Sequence, residues 1–229
     1  WKPQWSEDSQ SIYVLSGHQG SNEIVRFSMD QNESPATVIG GPRAIFSFAY
    51  DGKTSIVTVY SSPTTPGKIS KMAINTSEHV TRTKRLPTED FSENNVYFPK
   101  EEVCIDDGNA ECLSEINIVE PETFTYTSVD GWKMHGFLLK PANMKAGQTY
   151  PVVLGIHGGP HSTHGFAYFH QMQLLCSQGY AVVYFNPRGS SGYGEAFTEA
   201  VINDYGGKDK FDILNGLDEA LERFDFLDE

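Results

Sequence analysis

The stretch Pro151-Val152-Val153-Leu154-Gly155-Ile156-His157-Gly158-Gly159-Pro160 passes directly from an apolar run into a glycine loop, and the rest of the chain is read outward from it. Val152, Val153, Leu154 and Ile156 are apolar, mostly β-branched, and opened by a proline, which predicts a strand buried on both faces of a parallel sheet. His157-Gly158-Gly159-Pro160 ends that strand. Two adjacent glycines remove the side chains that would keep a substrate carbonyl from the main chain, so a backbone N–H can point to where negative charge develops. Pro160 stiffens the exit.

The residues that follow supply the context this loop needs. Phe166 to Gly179 carries apolar residues at Phe166, Phe169, Met172, Leu174, Leu175 and Cys176, with Gly179 placed as a stop, and reads as a helix. Tyr180 to Phe185 reads as a second buried strand, and Asn186-Pro187-Arg188-Gly189-Ser190-Ser191-Gly192-Tyr193-Gly194 as a second glycine-rich loop. Strand, helix and strand form a right-handed βαβ unit. Both glycine loops then emerge at the same sheet edge, where open α/β folds bind ligands.

In these motifs the chain from about Phe124 to Phe226 resembles the first half of the α/β-hydrolase domain of the prolyl oligopeptidase family of serine peptidases, most of all its acylaminoacyl-peptidase and dipeptidyl-aminopeptidase branch. The resemblance rests on His157-Gly158-Gly159-Pro160-His161, Gly179-Tyr180-Ala181-Val182-Val183, the loop Asn186 to Gly194, and Asp204-Tyr205-Gly206-Gly207-Lys208-Asp209 with Asp212, all in the family's order and spacing.

Upstream, Trp1 to about Val119 shows short strand-like runs between turn residues and no helical period. Residues 5–13 lie over 48–56 at an offset of 43, and 22–27 over 67–72 at an offset of 45. A four-stranded propeller blade has a repeat of roughly 40–50 residues. About two blades are expected, and since two cannot close, others are expected before Trp1; a small β-sandwich is the alternative. Cys104 to Cys112 crowds acids between two cysteines. Its acids lack the alternating spacing of a helix-flanked calcium loop, so a solvated connecting turn is expected. Thr123–Thr127 and Trp132–Lys140 predict a hairpin about Val129-Asp130-Gly131. The resemblance makes this hairpin the opening of the hydrolase domain, so 1–120 are expected to be propeller blades and 121–229 the N-terminal part of that domain.

At 229 residues, 38% hydrophobic and 12% aromatic, the chain holds enough apolar side chain for a real core. A formal net charge of −13 argues against nucleic acid or an anionic membrane surface as partner. No run reaches the ~20 apolar residues of a membrane span. Three cysteines are too few for a disulfide scaffold and point to a reducing, cytoplasmic setting. Asn32-Glu33-Ser34 and Asn75-Thr76-Ser77 match the glycosylation triplet, which is common by chance.

Several residues invite sharper readings. His157, His161, His164 and His170 suggest zinc, but Gly158-Gly159-Pro160 prevents the helix that would bring His157 and His161 together, and no metal or cofactor is expected. Arg188 offers a fork for a substrate carboxylate; an internal ion pair with Asp204, Asp209 or Asp212 that supports the loop is the preferred reading. Ser190 and Ser191 miss the G-x-S-x-G elbow because Tyr193 holds the fifth position, and read as loop residues. Phe211, Leu214, Leu217, Leu221 and Phe224 predict an amphipathic helix from about Lys208 to Phe224, with Gly216 marking close approach to the sheet.

The resemblance implies a role for each site residue. Gly159 would donate its N–H to the tetrahedral oxyanion, with His157, Gly158 and Pro160 shaping the loop and Arg188 supporting it. The base, the acid and the serine elbow would follow Glu229, so this chain by itself is expected to be inactive. The whole protein would cleave short peptides through an acyl-enzyme, with the remaining half of the catalytic domain as partner and a homo-oligomer as a further expectation. A carboxylesterase or lipase, or a hydrolase-like binding module without a triad, are the alternatives.

Overall fold

The computed structural model describes residues 2–74, 80–81, 87–88, 99 and 101–228. The chain divides into two compact units, one centred on the strands before Cys112 together with Gly165–Tyr168, the other on Leu113–His164 and Phe169–Glu229. The expected boundary at Pro121 thus falls inside the second unit. Asn117 donates to the carbonyl of Ala142, and Val119 and Gln173 exchange two hydrogen bonds, which tie residues 117–119 to that unit.

Among the described residues the first unit holds a nine-stranded sheet: β1 (Gln4–Trp5), β2 (Ser11–His18), β3 (Ser21–Ser28), β4 (Ala36–Ile39), β5 (Ala44–Tyr50), β6 (Ser55–Ser62), β7 (Thr65–Ala73), β8 (Val80–Thr81) and β9 (Glu102–Asp106). All its pairings are antiparallel except a single parallel bridge of Asn22 with Ala44 between β3 and β5. The internal repeat is present in the strands. The β2–β3 hairpin and the β6–β7 hairpin begin at Ser11 and Ser55, and their second strands at Ser21 and Thr65. Alternate side chains Tyr13, Ile24, Val38, Ile45, Ile56, Tyr60 and Met72 form one apolar core, as period-2 strands with one covered face require. The Cys104–Cys112 stretch is not purely a turn: it closes β9 and enters a five-residue helix, α1 (Ala110–Ser114), and both cysteines are free and exposed. Asn75-Thr76-Ser77 lies outside the described residues.

The second unit contains β10 (Glu122–Thr127), β11 (Lys133–Leu139), β12 (Tyr150–Gly155), α2 (His170–Ser177), β13 (Ala181–Asn186), α3 (Glu195–Glu199), α4 (Lys208–Arg223) and β14 (Leu227–Asp228). The sheet order is β10-β11-β13-β12-β14. It is mixed, where a mainly parallel sheet was expected: β10 pairs with β11 and β11 with β13 antiparallel, while β13–β12 and β12–β14 are parallel. The βαβ unit β12–α2–β13 accounts for the parallel half and the hairpin for the other. That hairpin turns where expected, with Asp130 and Gly131 both at positive φ.

One burial expectation and one helix boundary fail. All six residues of β13 are buried, but Val152–Gly155 of β12 are only half-buried and Ile156 is exposed. β14 covers only the Tyr150–Pro151 end of its neighbour. The helix α2 starts at His170 and not at Phe166, because Gly165–Tyr168 belong to the first unit, where the Phe166 N–H donates to Gly20 O and the Tyr168 N–H to Ser61 Oγ.

The packed face of α4 follows the predicted stripe at Leu217, Leu221 and Phe224, which join the core, but not in its first turns. Phe211 and Leu214 are exposed, and Asp212, Gly216 and Ala220 are buried, one turn apart. Small side chains at these positions let the helix axis approach the sheet. A Cβ on Gly216 would lie 2.6 Å from Tyr126 Oη and 2.8 Å from Phe185, so the predicted close approach is real. Gly216→Ala is therefore expected to destabilise the protein by about 1–3 kcal/mol through overpacking, despite the ~1 kcal/mol that alanine gains in a helix. Urea unfolding would show it, and a stabilised variant would refute the packing account.

Candidate active site

The site lies where β12 and β13 end at their carboxyl termini, in the two loops that the strands emit. Residues 157–164 carry no helix or strand, so their polar groups find partners elsewhere, and they find them in residues 186–191. His157 Nε2 lies 3.1 Å from Ser190 Oγ, and His161 Nδ1 lies 2.9 Å from Gly189 O. The Ser191 N–H donates to Ser162 O at 3.1 Å, and Thr163 Oγ1 donates to Ser191 O at 2.6 Å. At the end of the loop the His164 N–H donates to Asn186 Oδ1 at 2.9 Å, and Asn186 Nδ2 donates back to His164 O at 2.7 Å.

Gly158 and Gly159 form the exposed crest of this loop. Gly159 has φ +143°, and a Cβ there would sit 2.9 Å from Ser162 N and 3.0 Å from His161 N, so the position needs glycine on both conformational and steric grounds. Among the described residues neither glycine N–H donates to a protein group. At the exposed crest these N–H groups thus have no acceptor among the described residues, while the flanking residues are tied down.

The histidines do not converge as metal ligands. His157 and His161 are spent on the second loop, and the ring of His164 lies 5.1 Å from that of His157, edge to face. Burial, with the nearby His157 adding to it, pushes His164 down to about 4, so it is neutral at physiological pH. Its Nδ1 is buried without a partner among the described residues. Ser190 stands at hydrogen-bonding distance from a histidine, yet it is wholly buried and donates its own hydroxyl to Pro187 O at 2.7 Å. That geometry makes it a strut of the loop, not a nucleophile.

Arg188 is equally internal. Its Nε and Nη2 grip the two oxygens of Asp212 at 2.8 and 2.9 Å, and side-chain exposure is 3% for Arg188 and 0% for Asp212. The Arg188 N–H and Ser128 Oγ complete four donors to that carboxylate. The guanidinium also reaches Val129 O and Asp130 and stacks over Trp132, 4.6 Å from the ring centre. Burial alone would lower its pKa; the hydrogen bonds and charges of Asp212 and Asp130 outweigh that and raise it. No fork remains for a substrate carboxylate. Of the three acids offered by the sequence only Asp212 pairs with it; Asp204 and Asp209 accept from main-chain N–H groups in the turn before α4. Sequence reasoning missed Asn186, Thr163 and Asp130. Asp130 was visible only as a turn residue, and nothing local marks Asn186 as more than the start of a loop.

The profile of the prolyl oligopeptidase family matches residues 166–229 of this chain. Over 227 residues it is 35% identical to an uncharacterized peptidase, YuxL, of Bacillus subtilis, covering 99% of this chain and 31% of that protein. It is 33% identical over 147 residues to dipeptidyl-peptidase 5 of Aspergillus oryzae, covering 58% of this chain and 19% of the relative. Among solved structures, an acylaminoacyl peptidase in complex with Z-Gly-Gly-Phe-chloromethyl ketone superposes over 100% of this chain and 31% of its own, with a TM-score of 0.78 and 26% identity. The chain thus spans under a third of the length of these relatives. Among the described residues no helix is long and apolar enough to cross a membrane.

Proposed function

We propose that this chain is a portion of a serine peptidase, comprising blades of a β-propeller and the N-terminal half of an α/β-hydrolase domain, and that it supplies the oxyanion-binding loop. The observation that carries the reading is the exposed crest at Gly159, whose N–H has no acceptor among the described residues and whose loop is anchored at both ends. In acyl transfer a tetrahedral intermediate gathers charge on the former carbonyl oxygen, and a preoriented donor stabilises that charge without reorganising. Gly159 would be one donor, and a second N–H would come from the serine elbow in the remaining half of the catalytic domain. His157, Gly158 and Pro160 would shape the crest, and Arg188 with Asp212 would hold the loop beneath it.

No G-x-S-x-G sequence occurs in the 229 residues, and a hydrolase without its nucleophile loses most of its rate. The names of the relatives point to short peptides as substrates, including those with acylated N-termini. The full-length protein is expected to turn over an acyl-amino-acid chromogenic substrate and to be stopped by a serine-directed phosphonate. The 229-residue chain alone is expected to do neither. Phosphonate-insensitive turnover by the full protein, or phosphonate-sensitive turnover by the isolated chain, would defeat this reading.

A further inference from the structure

We propose that Asn186 is the positioning residue of the crest, holding the far end of the 157–164 loop so that the Gly159 N–H keeps its aim; this rests on the oxyanion role proposed above. Asn186 is the last residue of β13 and is wholly buried. Its amide exchanges two hydrogen bonds with the His164 main chain, accepting from N–H and donating to C=O, as a neighbouring strand would do. The second hydrogen of Nδ2 goes to Tyr193 Oη at 2.8 Å. Because that oxygen accepts from Asn186, the tyrosine proton is available for His135 Nδ1, 3.0 Å away.

The orientation of the amide is dictated by these partners. Turned over, it would set oxygen against the His164 and Tyr193 oxygens and NH₂ against an N–H. All three polar contacts are made inside the protein, so little slack remains at His164. The other end of the loop is pinned at His157 by Ser190. The crest has no main-chain ladder of its own; His161, Ser162 and Thr163 add ties to residues 189–191, and the clasp on the His164 main chain closes this series of anchors at the strand. A rigid strand thus fixes a loop that cannot fix itself.

Aspartate has the same shape as asparagine but lacks both donors, and it would press a carboxylate oxygen against His164 O. In the full-length protein, Asn186→Asp is expected to lower kcat about ten- to hundredfold, the cost of a misplacement near 1 Å, with KM changed by less than about threefold. Affinity for a peptide trifluoromethyl ketone, whose adduct carries the oxyanion, should fall by the same factor as kcat, while product peptide binds as before. Asn186→Ser, which leaves space rather than charge, should show the same split. Leu138→Ala, in the core of the same unit, provides matched destabilisation and should keep both kcat and inhibitor affinity below its melting temperature. If either Asn186 variant is folded at the assay temperature and keeps kcat and inhibitor affinity, the proposal is overturned. It is also overturned if neither variant folds, since Asn186 would then be a determinant of the fold. Gly159→Val separates the two readings. A severe loss there with Asn186 variants unaffected removes only the positioning role, whereas unaffected activity in Gly159→Val removes the oxyanion role itself.

Discussion

Gly159→Val in the full-length protein is expected to cut kcat by about 10²–10³, or ~2.7–4 kcal/mol of transition-state stabilisation, the usual effect of losing one oxyanion donor. Two features of the crest produce this. A φ of +143° is closed to a β-branched residue, and the new Cβ would stand 2.9–3.0 Å from the main-chain nitrogens of Ser162 and His161. The peptide must rotate, and the N–H turns with it. Gly159 is exposed, so the change costs little core packing and folding should persist. Gly41→Val is the control, because Gly41 also has a positive φ, +105°, and lies in the first unit. Measured kcat/KM and melting temperature should separate the pair: Gly41→Val loses stability and keeps activity, and Gly159→Val does the reverse. Proportional losses of both quantities in both variants would reduce the loop to a structural turn.

Arg188→Met should be the most destabilising single change in the second unit, at about 3–5 kcal/mol, because it strands the Asp212 carboxylate in a site with no solvent exposure. The main-chain N–H of residue 188 and Ser128 would still donate to it, which does not offset a missing guanidinium. Replacing both partners, Arg188→Met with Asp212→Leu, should recover part of the loss, since burying neither charge removes the desolvation cost. The pair Arg26–Glu33, which is open to solvent on its carboxylate side, gives the contrast. Its partner Glu33 is 49% exposed, and Arg26→Ala should change stability by no more than about 1 kcal/mol. Urea midpoints of the four proteins test this, and an Arg188→Met protein as stable as Arg26→Ala would show that Asp212 is relieved in some other way. Catalysis in the full-length Arg188→Met protein should fall as well, because Pro187 to Ser191 rest on that pair and in turn hold the crest.

Much of the second unit was legible because its signals are local. The two strands around α2, the hairpin about Asp130-Gly131 and the helix beginning at Lys208 each declare themselves within about a dozen residues by period, glycine and turn chemistry. The 43-residue offset likewise lays the turn from β1 into β2 over the turn from β5 into β6, and the 45-residue offset lays β3 over β7. Where the reading failed, the decisive neighbour was remote. Leucines chosen by helical period put Phe211 and Leu214 inside, but the sheet accepts the narrow face of Asp212, Gly216 and Ala220, because Tyr126 and Phe185 leave no room for larger groups. A buried aspartate on the packing face makes sense only once Arg188 is opposite it.

By itself, then, the sequence determined the strands on either side of α2, the helix from Lys208 and the two glycine loops, and that Gly158-Gly159 could bring a main-chain donor close to a carbonyl. Those properties follow from backbone sterics and short-range periodicity, which every chain of this sequence carries into any fold. Only the tertiary structure decided that Arg188 takes Asp212 and not Asp204 or Asp209, and that β11 and β13 run antiparallel. It also decided that Asn186 clasps His164. Each of these is a choice between chemically similar partners, and the choice is made by sheet register and by which backbones can approach within hydrogen-bonding distance, quantities that exist only after the elements have packed.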